Sequence, residues 1–194
     1  MNVYFIRHGA TKGNREYRYV GRTDEEILSE EWSALKEKGA ELGQMDGVFV
    51  SPYLRCIQSA KALFGLDEQE LEIVEDFREL DFGAFEYKNY QELNGDPDYQ
   101  RFIDSGGTIA FPEGEEPEAF KERCKRAFET CMEKSHERKW EKVAFVVHGG
   151  TIMAILETYG LPKQGYFDYQ VKNGSGFAGE VIQEKYIQYQ RLQK

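Results

Sequence analysis

The chain has 194 residues, 40% apolar and 31% charged, a composition that suits a folded globular protein and excludes a largely disordered one. A formal net charge of −10 at pH 7 argues against a broad nucleic-acid-binding or anionic-membrane surface, while leaving room for a small, locally basic pocket. No apolar run approaches a membrane span, MNVYFIRHG lacks the long apolar stretch of a secretion signal, and Cys56, Cys124 and Cys131 show no metal-binding spacing, so the expectation is a cytoplasmic protein with reduced thiols.

This length predicts a single domain over residues 1–194. NVYFI reads as a short buried strand that ends in Arg7, His8 and Gly9. Beyond the loop VGRTDEEILS, the stretch SEEWSALKEKGAELG predicts a helix with Ser29 as its N-cap and Glu30 and Glu31 in the first turn. GVFVSP is a second strand, closed by Pro52. YLRCIQSAKALF follows as a helix with Tyr53, Ile57, Ala60 and Phe64 on one face, and LEIV is a third strand. Residues 84–116 mix short helical pieces with Gly, Pro and acidic residues and read as an excursion covering one edge of the domain.

A long helix is predicted from about Pro117 to Lys139, its apolar face formed by Phe120, Cys124, Ala127, Phe128 and Cys131. VAFVV is another buried strand, followed by HGG and the helix TIMAILETYG. FAGEVIQEKYIQYQRL alternates and turns at Glu184-Lys185, the pattern of a C-terminal hairpin. Strands alternating with helices imply a three-layer α/β/α domain with a mostly parallel central sheet.

Only three histidines occur, and two stand in matching settings: VYFI-R-HG and VAFVV-HGG each end a buried strand with His, then Gly, then a helix-forming segment. In a parallel α/β sheet the carboxyl ends of such strands share one edge, where ligands bind. His8 and His148 are therefore expected in one pocket, with the glycines, Gly149 among them, letting backbone N–H groups approach an anion. VFVSPYLR places Arg55 in the first turn after another strand, at the same edge. Cations at helix starts oppose the macrodipole, so Arg7 and Arg55 are not there to stabilise helices. Their planar forks suit a phosphate. His136, within KSHERK, reads as a solvated helix residue without a role.

RHGATKGN follows the R-H-G-x-T-x-x-N pattern of the histidine phosphatase superfamily, also called phosphoglycerate mutase-like. SPYLRCIQSA resembles its S-x-L-x-R-x-x-Q-T-A element, RELDFGAFE its acid-bearing loop and VVHGG its second-histidine motif. FPEGEEPEAFKER resembles a segment of the smaller phosphatase branch, which includes α-ribazole and broad-specificity phosphatases. These elements come in family order along nearly the whole chain. The resemblance implies His8 as nucleophile, Arg7, Arg55 and His148 around the transferring phosphoryl group with Asn14 also touching it, and Glu79 as proton donor. The substrate implied is a small phosphorylated metabolite, and no metal or other cofactor is called for, because the cationic side chains take the part Mg²⁺ plays in kinases.

Each assignment has a plainer counterpart. Glu75, Asp76 and Asp81 make a merely solvated acidic loop a competitor for the Glu79 assignment, with Asp81 the next carboxylate, and Asn14 is suited to capping local backbone. Three departures from the family pattern, at Tyr87, at Trp32 and in the Pro-less GRTDEE, bear on substrate choice. Lys88, Tyr87, Tyr90 and Arg101 in the excursion are candidates to touch the non-phosphate part of the substrate. The alternatives are a phosphoglycerate mutase using the same phosphohistidine, a phospho-ligand binding protein without turnover, and a metal-dependent hydrolase using the two histidines with Asp24 or Glu79.

Overall fold

The structure, a computed structural model, describes residues 1–192. Four strands run parallel: β1 (Asn2–Arg7), β2 (Gly47–Val50), β3 (Glu72–Ile73) and β4 (Lys142–Val147). The chain then adds a short β5 (Gly160–Leu161) and an antiparallel hairpin of β6 (Gly176–Ile182) and β7 (Tyr186–Arg191). The seven strands lie in the order β3-β2-β4-β1-β6-β7-β5. The hairpin extends the sheet beyond β1, so β4 and β1 sit at its centre, hydrogen-bonded on both sides.

Alternation along β4 builds the two cores. Val143, Phe145 and Val147 point to one face, where they meet α5 (Pro117–Glu137) and α6 (Gly149–Tyr159). Ala144 and Val146 point to the other, beneath α2 (Glu31–Leu42) and α3 (Leu54–Phe64). This is the expected three-layer α/β/α arrangement. Phe5, Phe145 and Phe49 stand in register on neighbouring strands, with ring centroids 5.1 Å apart in each pair. Cys124 and Cys131 are buried on α5, as its apolar face predicts.

Several boundaries differ from the sequence expectation. Ser29 does not cap α2: the helix begins at Glu31, and the Ser29 hydroxyl donates instead to the Glu30 carboxylate at 3.3 Å. The hairpin turns one residue earlier than predicted, with Gln183 and Glu184 both at positive φ and Lys185 N–H donating to Ile182 O at 3.1 Å. That mirror-image turn matches the twist of the flanking strands, which outweighs the strain of left-handed backbone at two residues other than glycine.

The excursion carries its own small core. Phe85, Leu93 and Phe111 are buried against Tyr19, Leu80, Phe82, Tyr99 and Phe102. Within it, α4 (Pro97–Asp104) is capped by Asp96, turns Tyr99 and Phe102 inward, and leaves Arg101 exposed beside Asp98. The short α1 (Lys12–Arg15) lies just after β1.

Close backbone contact between α2 and α3 yields a test of this packing. A Cβ on Gly39 would stand 1.6 Å from the Leu63 carbonyl oxygen. Alanine has the higher helix propensity by about 1 kcal/mol, yet here it must push two backbones apart. Gly39→Ala is expected to lower stability by about 1–3 kcal/mol in urea denaturation. A more stable variant would show that the helices are not in this contact.

Candidate active site

Three parallel strands deliver the site at one edge of the sheet. β1 ends in Arg7 and passes directly to His8, β4 ends at Val147 and passes to His148, and β2 leads through Ser51 and Pro52 into α3, where Arg55 occupies the first turn. His8 and His148 are both buried, their ring centroids 5.2 Å apart at an angle of 68°. Residues 140 positions apart are thus brought ring to ring at the strand ends.

His8 Nδ1 lies 2.7 Å from the carbonyl oxygen of Gly9. A carbonyl only accepts, so Nδ1 donates and Nε2 keeps its lone pair. Burial, with the Arg55 and Arg7 charges adding to it, holds the His8 pKa well below its ordinary 6.5. His148 is lowered in the same way, by burial first and then by Arg55. Its Nε2 stands 2.7 Å from Ser51 Oγ. Gly9 N–H donates to Ser59 Oγ at 2.9 Å, and that hydroxyl donates to Arg55 O, tying the loop after β1 to α3.

Arg55 is wholly buried and is the bulkiest such side chain. Its Nη1 donates to Thr23 O at 2.8 Å, and its Nη2 donates to Gly21 O at 2.8 Å and to Val20 O at 3.4 Å. The loop VGRTDEE thus wraps around the guanidinium. Arg7 Nη1 donates to Val171 O at 2.9 Å. What distinguishes both arginines is the nitrogen left over. Among the described residues, Arg7 Nε and Arg55 Nε are the buried side-chain polar atoms without a hydrogen-bond partner. Such a group costs about 1–3 kcal/mol, more when charged, and an anion bound between them would satisfy both.

Glu79 reaches the same cavity from the loop after β3. Its Oε2 accepts from Gly150 N–H at 3.3 Å and its Oε1 from Leu80 N–H at 3.0 Å. Burial raises the pKa of the carboxyl above its usual 4.5, against the pull of these N–H groups and the two arginines. Asp81, in contrast, pairs with Arg22 on the outside and accepts from Gly83 N–H at 2.8 Å. Asp24 is engaged at 2.8 Å with Leu54 N–H, at the start of α3. Among the described residues, no three His, Cys, Asp or Glu side chains form a group able to hold a metal ion.

The loop bearing Glu79 is fixed by a buried arginine from outside it. Arg123, on α5, donates to the Asp76, Arg78 and Glu79 carbonyls at 2.7, 2.8 and 3.2 Å. Two further bonds of 2.7 Å join it to Glu115 in bidentate fashion. Asn173 plays a similar part: its Nδ2 donates to His8 O and to Asn14 Oδ1, both at 3.1 Å. Arg123 closes the FPEGEEPEAFKER segment and Asn173 lies outside every motif, but each is more than 40 residues from the loop or side chain it holds, so spacing carried no signal for these contacts. Asn14 does cap α1 through Thr11, and it also lines the cavity.

That cavity, of about 580 Å³, has Arg7, His8, Asn14, Glu79, Gly149 and Gly150 at its inner end. Its outer wall does not use the excursion residues expected. Lys88, Tyr90 and Arg101 are exposed outside it, and Tyr87 donates its hydroxyl to Glu25 at 2.5 Å. Packing of the excursion turns the aromatic side chains Phe102 and Phe111 to the cavity instead, against Phe82 of the preceding loop. Trp32 lies on the outer face of α2, away from the mouth, and His136 is exposed on α5.

Two strand-end histidines against two anion-seeking guanidinium groups at the edge of such a sheet are the makings of a phosphate-handling enzyme. The profile of the histidine phosphatase superfamily (branch 1) matches residues 3–185, and the chain belongs to that family. Its chemistry is the metal-independent hydrolysis of phosphate monoesters through a histidine. The structure is similar to that of an α-ribazole phosphatase from Shigella flexneri, with a TM-score of 0.81 at 20% identity over 99% of this chain and 96% of that one. It is also similar to a phosphoglycerate mutase from Thermus thermophilus, with a TM-score of 0.71 at 27% identity over 100% of this chain and 99% of that one. A probable phosphoglycerate mutase from Escherichia coli is 26% identical over 168 residues, covering 84% of this chain and 76% of the relative.

The paired glycines after His148 differ in what they permit. A Cβ on Gly150 would stand 2.4 Å from Glu79 Oε1, whereas one on Gly149 would make ordinary contact, 3.5 Å from Arg7 Nε. Gly150→Ala is therefore expected to displace the carboxyl and lower kcat/KM for an alkyl phosphate by roughly 10- to 100-fold, with Gly149→Ala much milder. Equal losses in the two variants, both still folded by thermal melting, would separate Glu79 from the reaction.

Proposed function

We propose that His8 is the nucleophile of a phosphomonoesterase, forming a phosphohistidine, and that Glu79 is its proton donor. The observation that carries this reading is the pair of orphaned guanidinium nitrogens beside two histidines held neutral. His8 Nε2 attacks phosphorus while Nδ1–H stays on the Gly9 carbonyl. Arg7, Arg55 and His148 hold the equatorial oxygens, whose charge is where phosphoryl transfer is mostly decided. Asn14 contributes its Nδ2, since its Oδ1 already accepts from Thr11 N–H and Asn173, and Gly149 offers the first backbone N–H of α6.

Glu79, whose hold on its proton is strengthened by burial, gives that proton to the departing alkoxide from its acid form. The resulting carboxylate then takes a proton from the water that attacks phosphohistidine, releasing inorganic phosphate and returning the site to its starting state. Glu79 also borders a second, polar cavity of about 380 Å³, lined by Arg22, Arg78, Asp81 and Glu115, which supports water reaching it apart from the substrate. Such access favours hydrolysis over transfer to a second hydroxyl. With 3-phosphoglycerate and a bisphosphoglycerate primer, phosphate should appear much faster than 2-phosphoglycerate; the reverse order would favour a mutase.

The pH dependence of kcat/KM follows from the two shifts. Activity should rise with pH through the lowered His8 pKa, as the imidazole loses its proton, and fall through the raised Glu79 pKa, as the acid loses its own. Glu79→Gln should remove the alkaline limb and slow hydrolysis of alkyl phosphates by about 10²–10⁴. With p-nitrophenyl phosphate, whose leaving group needs no proton, the variant should show a burst near one equivalent of nitrophenolate followed by slow turnover. Equal slowing of both substrates without a burst would remove Glu79 from the role.

Activity should also survive excess EDTA and be blocked by vanadate, which takes a trigonal-bipyramidal form beside a nucleophile. His8→Ala should abolish turnover. Retention of most activity in that variant would overturn the nucleophile assignment.

A further inference from the structure

The inner end of the cavity is built for one anion, and the outer chamber for something else. Tyr19, Phe82, Phe102, Phe111, Tyr166 and Phe167 line it. They come from four separate places: the segment after α1, the loop bearing Glu79, the excursion, and the turn Tyr166–Tyr169 that follows β5. Phe102 lies against Phe111 with centroids 4.3 Å apart at 30°, and Phe111 meets Phe82 edge to face at 5.0 Å. A methyl on Gly107 would stand 3.3 Å from the Phe167 ring and 3.6 Å from the Phe102 ring, so these two rings close over one rim of the chamber. Phe167 is 59% exposed, a large apolar side chain held at the mouth with half its surface in water.

The cations of the outer wall are already spent on carboxylates of this chain. Arg18 pairs with Glu16 at 2.6 Å and with Glu92 at 2.7 Å, and donates to Tyr87 O as well. Lys121 lies between Glu118 at 3.2 Å and Glu157 at 3.1 Å, above the ring of Tyr166. A second anionic group on the substrate would have to break one of these pairs and face Glu118 and Glu157. An uncharged aromatic or apolar group would bury its surface against rings that otherwise face water.

We propose that the alcohol carried by the phosphate is uncharged and bears a flat aromatic or bulky apolar group, and that the chamber selects against carboxylate-bearing phosphate esters. This rests on reading the inner end as a phosphomonoesterase site. The Phe102 and Phe167 rings select by apolar contact, and the committed state of Arg18 and Lys121 selects by leaving no counter-charge.

The test holds leaving-group chemistry nearly constant. Ethyl phosphate and 2-phenylethyl phosphate release alkoxides of similar basicity, so their kcat/KM ratio reads the chamber alone. Burying the ring should favour 2-phenylethyl phosphate by roughly 10- to 100-fold, with 3-phosphoglycerate below it by at least a similar factor. Phe167→Ala, and Phe102→Ala independently, should move the ratio toward 1. The non-hydrolysable 2-phenylethylphosphonate should inhibit more tightly than ethylphosphonate by a comparable factor.

A wild-type ratio within twofold of 1, or 3-phosphoglycerate as the better substrate, overturns the chamber assignment while leaving phosphomonoester hydrolysis standing. Absence of phosphate release from every ester overturns the underlying reading. In that case the phosphonate pair still reports on the chamber through dissociation constants from titration calorimetry, and equal values would overturn it too.

Discussion

Positive charge held out of water without a full set of partners is the constraint around which this molecule is arranged. Arg55 is wholly buried, both of its terminal nitrogens engaged by carbonyls of a single loop and its Nε left open. Arg7 repeats the pattern from a central strand. Burial drives both histidines toward the neutral form, and the guanidinium groups beside them, which keep their protons, add to it. A cationic pocket containing unprotonated imidazole favours an incoming anion and a nitrogen nucleophile at once. The free energy of leaving two donors unsatisfied is carried by the two hydrophobic cores on either side of the sheet.

Glu79 belongs to the same electrostatic unit but is held by different means. Near two cations an exposed carboxyl would ionise readily, and burial is what opposes this. Its loop after the short β3 has little sheet pairing to fix it. Arg123 supplies the rigidity by gathering three carbonyls of that backbone, and Glu115 balances its charge. Glu115 lies at the end of the excursion, which links the covering segment mechanically to the carboxyl beside the histidines.

The excursion also separates two kinds of environment within one cavity. Toward the sheet edge the walls are charged and hydrogen-bonding, and toward solvent they are aromatic rings packed on one another. The formal charge of −10 belongs to the outer surface, where acidic residues pair with Arg18, Arg22 and Lys121. Within the cavity, Glu79 is, among the described residues, the one carboxylate set beside Arg7 and Arg55, and burial opposes its ionisation.

The sequence by itself determined the parallel strands, the three-layer class, and the positions of Arg7, His8, Arg55 and His148, because each follows from a short-range pattern. A buried apolar run must end somewhere, and a polar residue at its end must lie at the sheet edge. Glu79 was singled out over Asp81 by family resemblance alone; only the fold shows Glu79 buried against Gly150 N–H and Asp81 paired outside with Arg22. Ser29 was misread because a good capping side chain forms no cap unless the backbone ahead of the helix turns suitably. Lys88, Tyr90 and Arg101 were misplaced because residues 84–116 lack a sustained period, and only packing decides which face of such a segment turns inward. The tertiary structure alone decided the roles of Arg123, Asn173 and Gly150 and the aromatic wall, since these are contacts between segments distant in sequence, and no local pattern encodes which carbonyl a buried arginine will find.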